Sequence, residues 1–182
     1  MTNIGFSGGL KMHAVLNHLS QALGDKEKLV RVGFLEGSTC GIDNDASAPE
    51  IAFILEVGAP SANIPPRPFF RTMIERRKMT WGKTLMAFLK KNNYDAHLAL
   101  MGTGLIMGEQ LQLQITETTT PPNAPSTIAG KGFDKPLEHS KNMKRAVSAE
   151  VDGERQELAG VSDAKDSAKI AKFAGKSIMR RG

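Results

Sequence analysis

At 182 residues the chain can bury one core but is short for two full domains, so we expect a single domain with appendages. Its formal net charge of +5, from 24 basic and 19 acidic residues, is a small excess for a dedicated nucleic-acid binder. The single cysteine, Cys40, excludes an intramolecular disulfide and fits a reducing compartment. We expect no targeting segment, because the N-terminus is polar and contains Gly and Ser, and no membrane span, because no stretch approaches roughly 18 apolar residues.

The first third of the chain predicts a strand with one helix on each side of it. Apolar residues near helical spacing indicate an amphipathic helix over residues 9–23, and alternation indicates a strand over 29–35. Residues 38–49 are rich in Gly, Asp, Asn and Ser, which predicts a loop. Residues 49–58 begin with proline and an acid and end with glycine, which is typical of a short helix, with a buried strand as the alternative.

Residues 64–71, Ile-Pro-Pro-Arg-Pro-Phe-Phe-Arg, are the most distinctive stretch. Prolines favour extended backbone before them and are tolerated in a first helical turn, so the stretch predicts a rigid elbow that leads into a helix. Apolar spacing predicts that helix over 68–91 and a second helix over 95–115. In the second helix, Gly102, Gly104 and Gly108 would allow close packing. Five of the aromatic residues lie within residues 69–94, so we expect the core to be built around that segment.

The remainder of the chain is less regular. Residues 116–141 are rich in Thr, Pro and Gly with few apolar anchors, which predicts a long irregular loop or arm. Alternation over 144–151 predicts a final strand, and the Ala-, Lys- and Asp-rich residues from 152 onward predict a tail or a marginal helix. The sequence therefore predicts an α+β domain over 1–151, with an extended arm at 116–141 and a basic C-terminal tail over 152–182.

Candidate catalytic and metal sites are poorly formed in the sequence. Its four histidines, at positions 13, 18, 97 and 139, are scattered. A calcium-like sequence that starts at Asp43 has Ala48 where glycine is required and Ile54 where the bidentate glutamate belongs. The glycines at 102–108 resemble a phosphate-binding turn, but the third comes one residue late, so helix packing is favoured. Cys40 lies in no recognised nucleophile motif. We expect no enzymatic activity, no metal and no cofactor.

A set of ordered motifs resembles a known family. The motifs occupy residues 32–37 (Val-Gly-Phe-Leu-Glu-Gly), 51–58, 64–71, 123–128 and 131–137. Together they span roughly residues 28–151, and in order and spacing they resemble virion-morphogenesis proteins of tailed phages, of the neck and tail-completion type.

The resemblance implies long helices packed on a small, mainly antiparallel sheet, and a homo-oligomeric ring at the joint between capsid and tail. Its partners would be copies of itself and other virion proteins of the connector, head-completion and tail, with weak contact to passing DNA and none to membranes. The protein would reside in the virion after assembly in the host cytoplasm, and the arm would become ordered on assembly. A tail terminator, which ends tube polymerisation, belongs to the same structural class and stays an alternative.

Candidate subunit contacts lie at the elbow and in the arm: Arg67, Phe69, Arg71, Asn123, Pro125, Lys131, Phe133 and Lys135. For Phe69 and its neighbour Phe70, packing inside the subunit is an equally good interpretation. The alternative function from another class is a basic DNA-binding module, in which cations neutralise phosphates. Its candidate phosphate contacts are Arg76, Arg77, Lys144, Arg145, Arg180 and Arg181, and a solvated helix face is the simpler interpretation for the arginines near the elbow.

Overall fold

The computed structural model describes residues 28–39, 47–132, 134, 136–137 and 142–158, together with residues 13, 17, 20 and 21. Those last four positions are helical, in agreement with the predicted first helix. Of the loop predicted over 38–49, residues 40–46, with Cys40, lie outside the described residues. The elements in chain order are strand β1 (Val30–Phe34), helix α1 (Ala48–Val57), a 3₁₀ turn (Pro60–Ala62), helices α2 (Phe69–Lys91), α3 (Ala96–Glu117), α4 (Pro125–Lys131) and α5 (Asn142–Arg145), and strands β2 (Val147–Val151) and β3 (Glu154–Glu157). The predicted α+β class is confirmed: long helices accompany a small antiparallel sheet.

The sheet has three strands in the order β1-β2-β3, with β2 in the middle. β1 pairs with β2 in an antiparallel register that places Val30 opposite Val151 and Phe34 opposite Val147. β2 and β3 form a hairpin through Asp152 and Gly153, whose φ angles of 52° and 88° match the two left-handed positions of a type I′ turn. Asp-Gly is among the preferred sequences for that turn.

The hairpin corrects the predicted C-terminal boundary. Residues 154–157 are a strand of the sheet, so the predicted tail or marginal helix does not start at residue 152. The four residues of β3, Glu-Arg-Gln-Glu, contain no apolar side chain, and an edge strand of this composition shows no alternation in the sequence. The strand predicted over 144–151 is β2, which begins three residues later than predicted, because residues 142–145 form α5.

The predicted helices at 49–58, 68–91 and 95–115 are confirmed to within two residues at each end. α2 and α3 pack together as a helical hairpin, and Asp95 caps α3 by accepting a hydrogen bond from Leu98 N at 3.0 Å. The predicted role of the α3 glycines is also confirmed. A Cβ atom at Gly102 would lie 2.8 Å from the ring of Phe88, and one at Gly104 would lie 2.8 Å from Val30 Cγ2. α3 therefore approaches both α2 and the sheet more closely than a larger residue allows.

The main core forms where the start of α2 meets α3 and β2. Phe69 is almost completely buried there, and the ring of Phe34 meets it edge-on with centroids 6.2 Å apart. Burial of each large apolar side chain stabilises the fold by roughly 1.5–3 kcal/mol. The buried members of the cluster are Ala52, Phe69, Met73, Leu111, Ile115, Leu137, Met143, Val147 and Leu158.

Candidate assembly interface

Glu56, near the end of α1, caps the N-terminus of α2, because the residue at the cap position of α2 cannot do so. Pro68 occupies the cap position of α2 and offers no side-chain acceptor. Glu56 Oε2 accepts a hydrogen bond from Phe70 N at 2.8 Å, and Glu56 Oε1 accepts one from Arg71 N at 3.1 Å. A carboxylate at this end of a helix also interacts favourably with the helix dipole. The end of α1 is therefore tied directly to the start of α2.

The backbone between these helices turns sharply at Gly58. Gly58 has a φ of 81°, and a Cβ atom there would lie 2.8 Å from Pro66 N and 2.9 Å from Ile64 O. Both the left-handed conformation and the close approach require glycine. Arg67 N then donates to Leu55 O at 2.8 Å, so the proline-rich segment runs back along the end of α1. The predicted elbow is present and is held by backbone contacts.

The side chain of Arg67 fastens the elbow to the loop that follows α3. Arg67 is only 5% exposed, its Nε donates to Pro121 O at 3.0 Å, and its Nη2 donates to Pro122 O at 3.2 Å. Nη2 also lies 3.4 Å from Asn123 Oδ1, and Asn123 N donates to Asp134 Oδ1 at 3.1 Å. Burial lowers the pKa of Arg67, and the nearby Asp134 carboxylate acts in the opposite direction. We call this set of contacts the Arg67 clamp.

The burial of two elbow side chains corrects two of the predicted subunit contacts. Arg67 and Phe69 are buried within one subunit, so neither side chain offers surface to a neighbour. For Phe69 the structure supports the alternative of internal packing. Arg71 differs: its side chain is 64% exposed although its Nε pairs with Glu56 Oε1 at 3.0 Å. Arg71 therefore keeps an outward surface beside the elbow.

The predicted irregular arm at 116–141 holds for residues 118–124, which form no helix or strand, but not for the described residues next to that loop. α3 continues to Glu117, and a further short helix, α4, begins at Pro125 and is followed by Gly132 in the left-handed conformation. The sequence did carry a signal for this helix, namely a proline in the first turn and a glycine just past the end. Asn123 is buried in the Arg67 clamp, and Leu137 belongs to the core.

Of the predicted contacts in this segment, Asn123 is thus internal, whereas Pro125 is exposed. The side chain of Lys131, and residues Phe133 and Lys135, lie outside the described residues.

The predicted phosphate contacts fall into three groups: residues bonded within the subunit, exposed residues, and residues that the structure does not describe. Arg76 Nη1 donates to Gln114 Oε1 at 3.2 Å and lies 3.5 Å from Glu117 Oε2, so it links α2 to the end of α3. Lys144 Nζ donates to Thr116 Oγ1 at 3.1 Å. Arg77 and Arg145 are exposed and form no ion pair within the described ranges. Arg180 and Arg181 lie outside the described residues.

A polar cluster that the sequence analysis did not predict surrounds His97, at the start of α3. His97 Nε2 lies 3.2 Å from Glu154 Oε2, and His97 Nδ1 lies 3.5 Å from Asp152 Oδ2. Lys28 Nζ contacts the same Asp152 oxygen at 3.2 Å. Desolvation raises the pKa of Asp152, but hydrogen bonds from Lys28, the backbone of Leu29 and His97 outweigh it and leave that pKa below its ordinary value.

The two imidazole nitrogens of His97 face different carboxylates, so the cluster holds the β2–β3 turn against α3 and does not chelate one ion. In the described part of the chain, no group of three His, Cys, Asp or Glu side chains is arranged to bind a metal. An open cleft of about 510 Å³ lies beside the cluster. Its lining residues are Gln21, Lys28, Asn92, Asn93, Asp95 and His97.

Two of the described helices each expose more than one large apolar side chain. On α1, Phe53 is 66% exposed and Ile54 and Val57 are also exposed, whereas the small Ala48 and Ala52 face the core. On α2, Met79 is 81% exposed and Met86 is 51% exposed. The sequence carried one signal for the exposed apolar side chains of α1. This helix is apolar on nearly every side, and such a helix usually packs against other elements or proteins on more than one face. We name these surfaces the α1 face (Phe53, Ile54 and Val57) and the α2 face (Met79, Gly82 and Met86).

Among the described helices, none combines the length and apolar character needed to cross a bilayer. No protein-family model, curated protein or solved structure matches this chain. The resemblance of its motifs to neck and tail-completion proteins of tailed phages thus stays a prediction.

Proposed function

We propose that this chain is a structural virion protein of the head–tail connector region of a tailed phage, a neck or tail-completion protein that assembles as a ring. Its partners are copies of itself and the connector, head-completion and tail proteins, and it acts in the virion after assembly in the host cytoplasm. The role needs no catalysis, metal or cofactor. A tail terminator is the nearest alternative, since it uses the same kind of subunit.

The observation that carries this proposal is the pair of exposed apolar helix faces. Five of the seven large apolar side chains that the described structure exposes belong to α1 and α2. Clustered exposed apolar side chains mark surfaces that contact other proteins. Covering them stabilises a complex by roughly 25 cal/mol for each Å² of apolar area removed from water. A subunit that functions by assembly accounts for both faces.

The geometry of the elbow also supports a mechanical role. The Glu56 cap and the Arg67 clamp fix α1, α2 and the loop after α3 relative to one another. A closed ring needs a constant angle between the two contact surfaces of each subunit, because an angular error repeats at every contact. A loose hinge between α1 and α2 would prevent ring closure, whereas the contacts of the elbow fix the angle between these helices.

Sedimentation and negative-stain imaging of the purified full chain over a range of concentrations test the proposal. We expect closed rings of one size, either alone or on addition of purified connector and tail proteins. Titration with duplex DNA at low and high salt is the parallel test for the DNA-binding alternative. A protein that stays monomeric under all these conditions and binds duplex DNA tightly, with steep weakening by salt, would refute the ring and support the DNA-binding module.

A further inference from the structure

We propose that the contact between neighbouring subunits is heterologous: the α1 face of one copy docks on the α2 face of the next. This inference rests on the proposed function, because it names the two surfaces through which the ring closes. Each subunit then offers one α1 face and one α2 face, and every contact between neighbouring subunits joins the α1 face of one to the α2 face of the other. A contact between unlike surfaces forms rings or filaments, whereas a contact between like surfaces stops at a dimer.

Gly82 is the first observation behind this pairing. It lies in the interior of α2, where glycine costs about 1 kcal/mol of helix stability relative to alanine. A Cβ atom at Gly82 would meet nothing within 4 Å, unlike one at Gly102, Gly104 or Gly108. Nothing inside the described subunit therefore requires a glycine here.

The position of Gly82 on the helix suggests its purpose. Met79, Gly82 and Met86 follow one another at steps of three and four residues, so they share one side of α2. A residue without a side chain between two long, flexible ones leaves a notch in that surface. Methionine side chains adapt their shape to an apolar partner.

The α1 face has the complementary shape. Phe53 is the largest exposed apolar side chain on either helix, and Ile54 and Val57 lie on the same side of α1. An aromatic ring between Met79 and Met86, above Gly82, would cover all three residues of the α2 face. Two copies of the α1 face, by contrast, would oppose two protruding rings.

Charge complementarity favours the same arrangement. Glu50 is exposed one turn before Phe53 and continues the α1 face. Lys83 and Lys90 are exposed, each four residues after one of the exposed methionines of the α2 face, and they outnumber the exposed Glu75, which lies four residues before the first methionine. Opposite charges at the rim of an apolar contact speed association and select the partner. Two α1 faces together would instead bring two Glu50 side chains close to each other.

The strength of the contact follows from its size. The exposed parts of the apolar side chains of both faces amount to on the order of 500 Å², against roughly 1,600 Å² buried in a standard interface. A single contact is therefore weak, and ring closure, which gives each subunit two contacts, stabilises the assembly. We expect assembly to depend steeply on protein concentration.

A mixing experiment with two full-length variants tests the pairing. One variant carries Phe53→Ser and Val57→Ser, and the other carries Met79→Ser and Met86→Ser; all four side chains are exposed, so both variants should fold as the wild type does. Each variant alone should stay monomeric at concentrations where the wild type assembles, with a dissociation constant raised at least about tenfold. At concentrations well above those at which the wild type assembles, where even a single contact is populated, an equimolar mixture should form a one-to-one dimer that grows no further, because one intact face remains on each partner.

A second experiment uses a substitution that stabilises the subunit while blocking the contact. Gly82→Ala should raise the melting temperature of the monomer by about 2–4 °C, because alanine favours the helix and its Cβ meets open space. The same substitution, and more strongly Gly82→Leu, should weaken assembly by filling the notch. Gly130→Ala is the matched control for the gain in helix stability: this residue lies in α4, outside the α1 and α2 faces, its Cβ would also meet nothing within 4 Å, and its variant should assemble better than the Gly82→Ala variant.

The outcomes separate the two proposals. If the wild type never assembles, with or without connector and tail proteins, the ring itself is refuted. If the wild type assembles and both face variants assemble equally well, or the α2-face variant behaves as the wild type while the α1-face variant does not, the heterologous pairing is refuted and the ring stands. A mixture that stays monomeric even at those higher concentrations would contradict the pairing as well.

Discussion

Replacement of Arg67 by methionine should loosen the joint between the elbow and the loop after α3. Methionine keeps most of the aliphatic volume of the side chain but removes the guanidinium, which donates to Pro121 O and Pro122 O and lies within reach of Asn123 Oδ1. Hydrogen bonds from a charged donor contribute about 1.5–3 kcal/mol each.

The net loss is smaller than the sum of those bonds, for two reasons. The carbonyl groups of Pro121 and Pro122 lie in a partly exposed loop, so water can replace some of the lost donors. The substitution also relieves the desolvation of Arg67 that lowers the pKa of its guanidinium. We therefore expect Arg67→Met to reduce the free energy of unfolding by about 2 kcal/mol.

Urea unfolding followed by circular dichroism measures this change, and limited proteolysis locates it. Cleavage within residues 118–124 should become faster, because the clamp no longer holds that loop. Arg71→Met is the matched control, since the Arg71 side chain is largely exposed and its ion pair with Glu56 contributes roughly 1 kcal/mol. An Arg67→Met protein within about 0.5 kcal/mol of the wild type, cleaved at the same rate, would refute the clamp.

Three further predictions concern the fold. Glu56→Gln should lower the free energy of unfolding by about 1 kcal/mol in urea titrations, because it removes the negative charge that caps two backbone N–H groups of α2; no loss would contradict the cap. Gly104→Ala should destabilise by about 1–2 kcal/mol, since its Cβ would overlap Val30, while Gly82→Ala in the same assay should stabilise; equal signs would contradict the packing. Asp152→Asn keeps the left-handed turn but removes a carboxylate whose pKa is lowered. The stability that this carboxylate contributes is present above its unfolded pKa of 3.8 and is lost as the pH falls through its lower folded pKa, so acid titration should bring wild type and variant together.

The parts of the fold that the sequence predicts are those with a strong local period. The apolar spacing in α2 and α3, the alternation in β1, and the glycines of α3 all express contacts that repeat along one element. β3 was missed because its polar side chains carry no alternation, and its place is decided by the Asp152-Gly153 turn and by pairing with β2. α4 was missed because the surrounding Thr, Pro and Gly residues obscured a proline start and a glycine stop.

For the candidate interface, prediction from the sequence fails for a different reason. The elbow residues were correctly identified as a rigid unit, but the burial of Arg67 depends on carbonyl groups more than 50 residues further along the chain. No local pattern in the sequence encodes that contact. The direction of the α1 face was equally hidden, because α1 is apolar on both sides and its small residues, Ala48 and Ala52, are the ones that pack inward.

The pairing of β1 with β2 has a consequence for how the subunit matures. Residues 30–34 meet residues 147–151, so the sheet cannot close until nearly all of the described chain has left the ribosome. The α2–α3 hairpin joins neighbouring segments and can form well before that. We expect nascent chains to carry a preformed helical hairpin with an unfinished sheet, and translation of the last strands to complete the native subunit.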